Sequence, residues 1–368
     1  MDVFAKIAAD LRPLGAAAFS VHQGKLYGDP VLADRMAHAK HWLIPPERHS
    51  RDGGEIPLRD IVADRFLGDA SRTDELALCN GGTNALALAF AELLTPDRAD
   101  VHVLSPYWLH LGGVIRTAGG RLIDHPTLVD GAPVSEDEIL ARVEAGLSPA
   151  SRCIYLANPA NPLGSLASDH LVAGLIDLAE KRDLFIIVDQ AYYGFERGLP
   201  QGEGVQPLRA QLRHARVVNA FTFSKLYGVA GLRLGFLTGQ APLVAEVENR
   251  YKYTNYTPNS FSQSAVYALI QDEDVLAERR RRYAENLEIV RTHLAGRCVL
   301  PEGGFFAFLP LTRREIVQEA LARGVGLVSG HLFGASYGDH ARLCFTAEPP
   351  DRLTRCCEVL LSVLEGRS

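Results

Sequence analysis

Between Leu76 and Gly239 the chain alternates short apolar, β-branched runs with segments of 3.6-residue periodicity, and this alternation constrains the fold more than any other feature. Strands are predicted at Leu76–Cys79, Val101–Leu104, Arg121–Asp124, Arg152–Ala157, Leu184–Asp189, Val217–Thr222 and Leu232–Leu237. Helical patterns such as Thr83–Leu94 and Ser168–Lys181 lie between most of them. Strand-helix alternation of this kind builds a mainly parallel sheet covered by helices on both faces. Leu232–Leu237 follows its predecessor too closely for a helical crossover, so it is expected to be antiparallel. The expected class is therefore α/β, with a mainly parallel seven-stranded sheet sandwiched by helices. Ligands of such sheets bind beyond the carboxyl ends of the strands.

After Gly239 the pattern changes to long helices, Ala241–Tyr253 and Ser262–Ala295, with Pro258 expected to break them. Residues 299–368 then read strand, helix, strand, strand, helix. At 368 residues the chain suits one large and one small domain. The expected division is an N-terminal segment 1–48 joined to the small domain, a large ligand-binding domain 49–260, and a smaller α+β C-terminal domain 261–368. A net charge of −6 with no basic stripe argues against nucleic acid as a partner. No run of about 18 apolar residues suggests a membrane span, and the first residues lack the apolar core of a signal peptide. Six cysteines show neither metal spacing nor a disulfide framework, and the pair Cys356 and Cys357 reads as packing. A cytoplasmic protein with reduced thiols and no metal is expected.

Lys225 carries the sharpest chemical signal. It is one of six lysines among 38 basic residues, and it stands just past the apolar run that ends at Thr222. Thr222 precedes it by three residues, and a Gly-Leu-Arg-Leu-Gly turn sets Arg233 eight residues after it. An amine so placed suits Schiff-base formation with an aldehyde cofactor, while Thr222 and Arg233 suit a phosphate on that cofactor. Asn80-Gly-Gly-Thr-Asn84 opens a helix, and Gly82 and Thr83 there are candidates for phosphate contact through backbone N–H groups. It has neither a Walker lysine nor Gly-x-Gly-x-x-Gly spacing, which speaks against a nucleotide. Asp189 ends a very apolar strand, where a carboxylate either finds a cationic partner or caps the following turn. In Asn158-Pro-Ala-Asn-Pro-Leu-Gly164 two prolines stiffen the loop that presents Asn161. Ser105-Pro-Tyr-Trp108 places one of two tryptophans after a strand, in either a packing or a stacking role. Arg342 lies in a strand-like run, where an inward arginine needs either an ion-pair partner or a bidentate anion.

These six segments, in their order along the chain, resemble those of the fold-type I pyridoxal-phosphate (PLP) enzymes, the class I/II aminotransferase family. The resemblance implies PLP as cofactor, with Lys225 as its Schiff-base lysine and as general base. It implies that Asp189 holds the pyridine nitrogen protonated and that Tyr192 and Asn161 meet the phenolic oxygen. Trp108 would stack on the ring, and Gly82, Thr83, Thr222 and Arg233 would bind the phosphate. Arg342 and Asn161 would hold the substrate carboxylate. The reaction implied is transfer of an amine from an amino acid to a 2-oxo acid. A lyase, decarboxylase or oxidative deaminase on the same fold is the alternative, since bond choice depends on orientation above the ring. A PLP-sensing regulator is a third possibility, weakened because only about 45 residues precede the first motif and no basic recognition helix is seen among them.

The sequence departs from the family pattern in four places. His49 stands where Tyr is usual, Leu163 where Thr is common, and Ser329 where Pro is frequent. The stretch from Val21 to Gly28 is unlike the usual segment that encloses the substrate. A homodimer with shared active sites is expected, and His49, Tyr253 and Tyr256 are the candidates for the residue that crosses between subunits.

Overall fold

In a computed structural model of the protein, which describes residues 3–27, 43–44, 48–199 and 205–366, seven strands form one sheet. They are β1 (Leu76–Cys79), β2 (Asp100–Ser105), β3 (Arg121–Pro126), β6 (Ser151–Ala157), β7 (Phe185–Asp189), β8 (Val217–Thr222) and β9 (Gly235–Thr238). β4 (Leu128–Val129) and β5 (Ala132–Pro133) make a short hairpin beside them. The order across the sheet is β1-β9-β8-β7-β6-β2-β3, parallel from β8 to β3 and antiparallel where β9 meets β1 and β8.

Successive side chains on a strand point to opposite faces, and here both faces are apolar. On β6, Cys153 and Tyr155 enter one core with the helices Gly82–Leu93 and Ala241–Asn255. Ile154 and Leu156 enter the other core, which includes the helix Asp169–Arg182. Burial on both sides explains why these strands read as continuous apolar runs rather than alternating ones.

Two expectations need correction. The strand expected at Leu232–Leu237 is Gly235–Thr238, because residues 230–232 form a tight turn and Arg233 takes φ 50°. Leu234 is buried while still in that turn, so its hydrophobicity does not signal a strand. A Cβ on Gly235 would lie 2.3 Å from the Phe221 carbonyl, so only glycine allows β9 to begin there. The helix expected at Ser262–Ala295 is two, Ser260–Ile270 and Glu273–His293. The Asn259 side chain caps the first, accepting from Ser262 N, and Pro258 precedes it as expected. Acidic Glu273 and Asp274 open the second, where the helix dipole favours them.

A second sheet, β10 (Phe306–Pro310), β12 (His340–Cys344) and β11 (Val328–Ser329), is antiparallel, with β12 in the middle. The segment 19–27 runs against it, with Cys344 N donating to Val21 O at 2.7 Å and Tyr27 N to Thr346 O at 2.8 Å. Gly28 and most of residues 28–48 lie outside the described residues. Among the described residues no helix is long and apolar enough to cross a membrane.

Candidate active site

A cavity of about 250 Å³ opens at the carboxyl ends of β6, β7 and β8, between the sheet and β12. Lys225 enters it from a single helical turn, Phe223–Leu226, which β8 runs into directly. Thr222 caps that turn, its Oγ1 accepting from Ser224 N. The Lys225 amine donates to Gly24 O at 2.5 Å, so the N-terminal segment reaches the heart of the site. Burial holds its pKa below the ordinary lysine value, and the Arg342, Arg233 and Arg279 cations push the same way.

Asp189 ends β7 and is 7% exposed. Its Oδ2 accepts from Tyr155 OH at 2.9 Å and its Oδ1 from Ala191 N at 3.0 Å. Burial nevertheless raises the carboxyl to about 6, the two hydrogen bonds opposing the shift. A carboxylate kept this dry and open to a cavity fits a cationic ring nitrogen. Tyr192, packed edge-on against Phe305 and Phe306, lines the same wall, and burial raises its phenol.

Opposite these lies an anion cradle. Gly82 and Thr83 begin the helix Gly82–Leu93, whose first amides have no acceptor within the helix. The Thr222 and Ser224 hydroxyls and the Arg233 guanidinium line the same end of the cavity. A Cβ on Gly81 (φ 83°) would lie 2.8 Å from Arg233 Nη2, so glycine lets the arginine close over the helix start. Helix amides, two hydroxyls and one guanidinium suit a phosphate group. With a free amine and a dry carboxylate added, the donor set fits PLP.

Arg342, on β12, is 2% exposed. Its Nη1 donates to Asn161 Oδ1 at 3.2 Å and its Nη2 to His22 O at 2.9 Å. The rings of Phe306 and Phe333 lie 4.2 and 4.9 Å from it. Its buried Nε has no hydrogen-bond partner among the described residues. Trp108 closes another wall, its ring 5.2 Å from that of His110.

All ten residues singled out from the sequence line this cavity: Gly82, Thr83, Trp108, Asn161, Asp189, Tyr192, Thr222, Lys225, Arg233 and Arg342. His49 does not line it and packs against the Tyr256 ring at 5.1 Å; Tyr253 and Tyr256 are exposed, at 81% and 55%. Sequence reasoning missed Phe4, Gly24 and Phe306 as lining residues, and Tyr155 as the partner of Asp189. Tyr155 lies inside a strand already accounted for by its apolar pattern, so nothing local marks it.

A mostly parallel sheet with an amine, a dry carboxylate and an anion cradle at its carboxyl ends defines a PLP-binding enzyme of fold type I. The model of the class I and II aminotransferases matches residues 56–360, and the chain belongs to that family. It is 27% identical over 348 residues to an aspartate/prephenate aminotransferase of Thermus thermophilus, covering 90% of this chain and 86% of that one. It is also 27% identical to an arginine–pyruvate transaminase of Pseudomonas aeruginosa, covering 100% of this chain and 99% of the other. Among solved structures, an aspartate aminotransferase double mutant of Thermus thermophilus shares the fold with a TM-score of 0.82 at 22% identity, over 98% of this chain and 95% of that one. The protein is a PLP-dependent aminotransferase.

Proposed function

We propose that the protein moves an amino group from an amino acid to a 2-oxo acid, with Lys225 as the residue that carries the cofactor. The observation that carries this reading is the convergence of Lys225, Asp189 and Arg342 on one cavity, each from a different strand end or sheet. PLP, when bound, supplies an electron sink for the substrate's α-carbon. Asp189 would keep the ring nitrogen protonated, and Tyr155 would help keep Asp189 ionised. Tyr192 and Asn161 would orient the ring through its phenolic oxygen, and Trp108 would pack against it. Gly82, Thr83, Thr222 and Arg233 would hold the phosphate. Arg342, with Asn161, takes the substrate carboxylate, and the buried setting strengthens that pairing. With cofactor and substrate bound, the Lys225 amine would take the substrate's α-proton and return it, and its lowered pKa favours the neutral base this needs.

The described residues of the segments 1–48 and 261–368 belong in this reading to a small domain that packs on the described residues of the PLP-binding domain 49–260. The enzyme works as a homodimer, as the exposed rings of Tyr253, Tyr256 and Phe261 suggest. A cytoplasmic location agrees with six free cysteines. The names of the relatives suggest acidic, aromatic or basic amino acids as donors. The test is to mix the PLP-loaded protein with a panel of amino acids and follow the cofactor's absorbance. Conversion to the amine form, reversed by a 2-oxo acid, is expected. Stoichiometric release of ammonia or carbon dioxide would replace transamination with elimination, oxidation or decarboxylation.

A further inference from the structure

The turn that carries Lys225 is four residues long and cannot bond its own last carbonyls. An arginine from elsewhere does so. Arg279, in the helix Glu273–His293, donates from Nη2 to Lys225 O at 2.8 Å and from Nε to Leu226 O at 2.8 Å. It is 2% exposed, a setting in which a guanidinium must meet acceptors. Its planar fork fixes two successive peptide carbonyls in a set geometry, which the freely rotating donors of an ammonium do not. The backbone then folds around it. Gly228 takes φ +73°, and a Cβ there would lie 2.4 Å from Arg279 Nη1 and 2.9 Å from its Cζ.

We propose that Arg279 is a positioning residue for the amine of Lys225, setting its reach by clamping the carbonyls of Lys225 and Leu226. The inference rests on the reading of Lys225 as the residue that carries the cofactor. Unlike Arg233 and Arg342, Arg279 does not line the cavity, so it acts through the backbone and through its charge. The charged and titratable groups facing the amine are Cys344 and Arg342 from β12, Arg233 from the turn before β9, Arg279, and Asp189 and Tyr192 from the cavity wall. Of these arginines, Arg279 alone also holds the Lys225 main chain.

Geometry and charge can be separated in PLP-loaded protein. Two quantities are measured: the pH midpoint of the bound cofactor's visible absorbance without substrate, and the single-turnover rate with the fastest amino acid of the panel. Arg279→Lys keeps the charge and loses the fork. Its rate should fall about ten- to a hundredfold, as small misplacements do, with the midpoint unmoved. Arg279→Gln loses both. Its rate should fall as far, and its midpoint should rise, because removing a nearby cation lets the Lys225 nitrogen keep its proton to higher pH. Gly228→Ala drives a methyl group into the guanidinium and should reproduce the Arg279→Lys result. Should Arg279→Gln fail to fold, the other two variants decide the matter alone. Wild-type rates and midpoints in the folded variants, with only a lower melting temperature, would make Arg279 purely structural and overturn the proposal. Lys225→Ala is the control: if it keeps a borohydride-reducible absorbance, the reading of Lys225 itself falls, an outcome no Arg279 variant can produce.

Discussion

Asp189 and Tyr155 show how one residue sets another's chemistry. Burial pushes the Asp189 carboxyl up to about 6, and the Tyr155 hydroxyl is the largest force opposing that rise. In Tyr155→Phe the opposing hydrogen bond is gone, so the carboxyl protonates at higher pH. A charge-assisted hydrogen bond is worth roughly 1.5–3 kcal/mol. The acid limb of the turnover–pH profile should therefore move upward by about one to two units, measured by steady-state kinetics against pH. An unmoved acid limb would mean that Tyr155 serves packing alone. Asp189→Asn should keep the fold and the cofactor but lose about a hundredfold or more in turnover, as expected when a preorganised charge is removed; steady-state kinetics with circular dichroism as a fold check will test it. The lysine motif could be read from sequence because Thr222, Lys225 and Arg233 lie in one short segment. Tyr155, Gly24 and Arg279 could not, since their partners lie 34, 201 and 54 residues away.

At the scale of elements, most of the strands that could be read are buried on both faces, the edge strand β3 being the exception. β1 and β8 begin and end where the apolar runs do, and the only strand misplaced is β9, whose preceding leucines pack from a turn. The strand order is set by long-range pairing and leaves no local trace. Neither does the polar seam inside the sheet. His102 on β2 meets His125 on β3, Nδ1 to Nε2, at 2.8 Å, and its Nε2 meets Ser151 Oγ on β6 at 2.8 Å. Burial lowers both imidazoles, His125 to about 4 with His102 adding to the effect. Their folded pKa values lie below the unfolded value of 6.5, so the unfolded chain binds more protons as pH falls. Their contribution is thus fully present above pH 6.5 and lost as pH drops toward 4. Urea midpoints measured from pH 7 to 4 should fall across that window, and His125→Gln should flatten the slope. A slope unaffected by the substitution would place the acid sensitivity elsewhere, with Glu196 and Asp189 excluded as sources because their raised pKa values act in the opposite direction.

For the whole molecule, the question is how the surface around residues 49–56 and 253–261 is covered. Tyr253 is 81% exposed, Tyr256 55%, Phe261 49% and Ile56 46%, an apolar exposure that suits a partner surface. Tyr256 also takes φ 71°, ψ −92°, a conformation costly for a bulky residue and kept only where its surroundings compensate. Its ring meets that of His49 edge-on, and neither reaches the cavity of its own chain. If a second copy covers this surface with two-fold symmetry, each site receives the same residues from its neighbour. Subunit complementation tests this directly. Lys225→Ala should be inactive, and His49→Ala should retain PLP poorly at limiting cofactor. In a mixed dimer, the His49→Ala subunit keeps its own Lys225 and receives an intact His49 from the other chain. Activity at limiting PLP should therefore rise above the mean of the two parents after mixing. Activity equal to that mean would show that His49 does not cross between subunits, and Tyr253→Ala and Tyr256→Ala put through the same experiment would show whether either ring does. A fully active monomer by light scattering would rule out the shared site for all three.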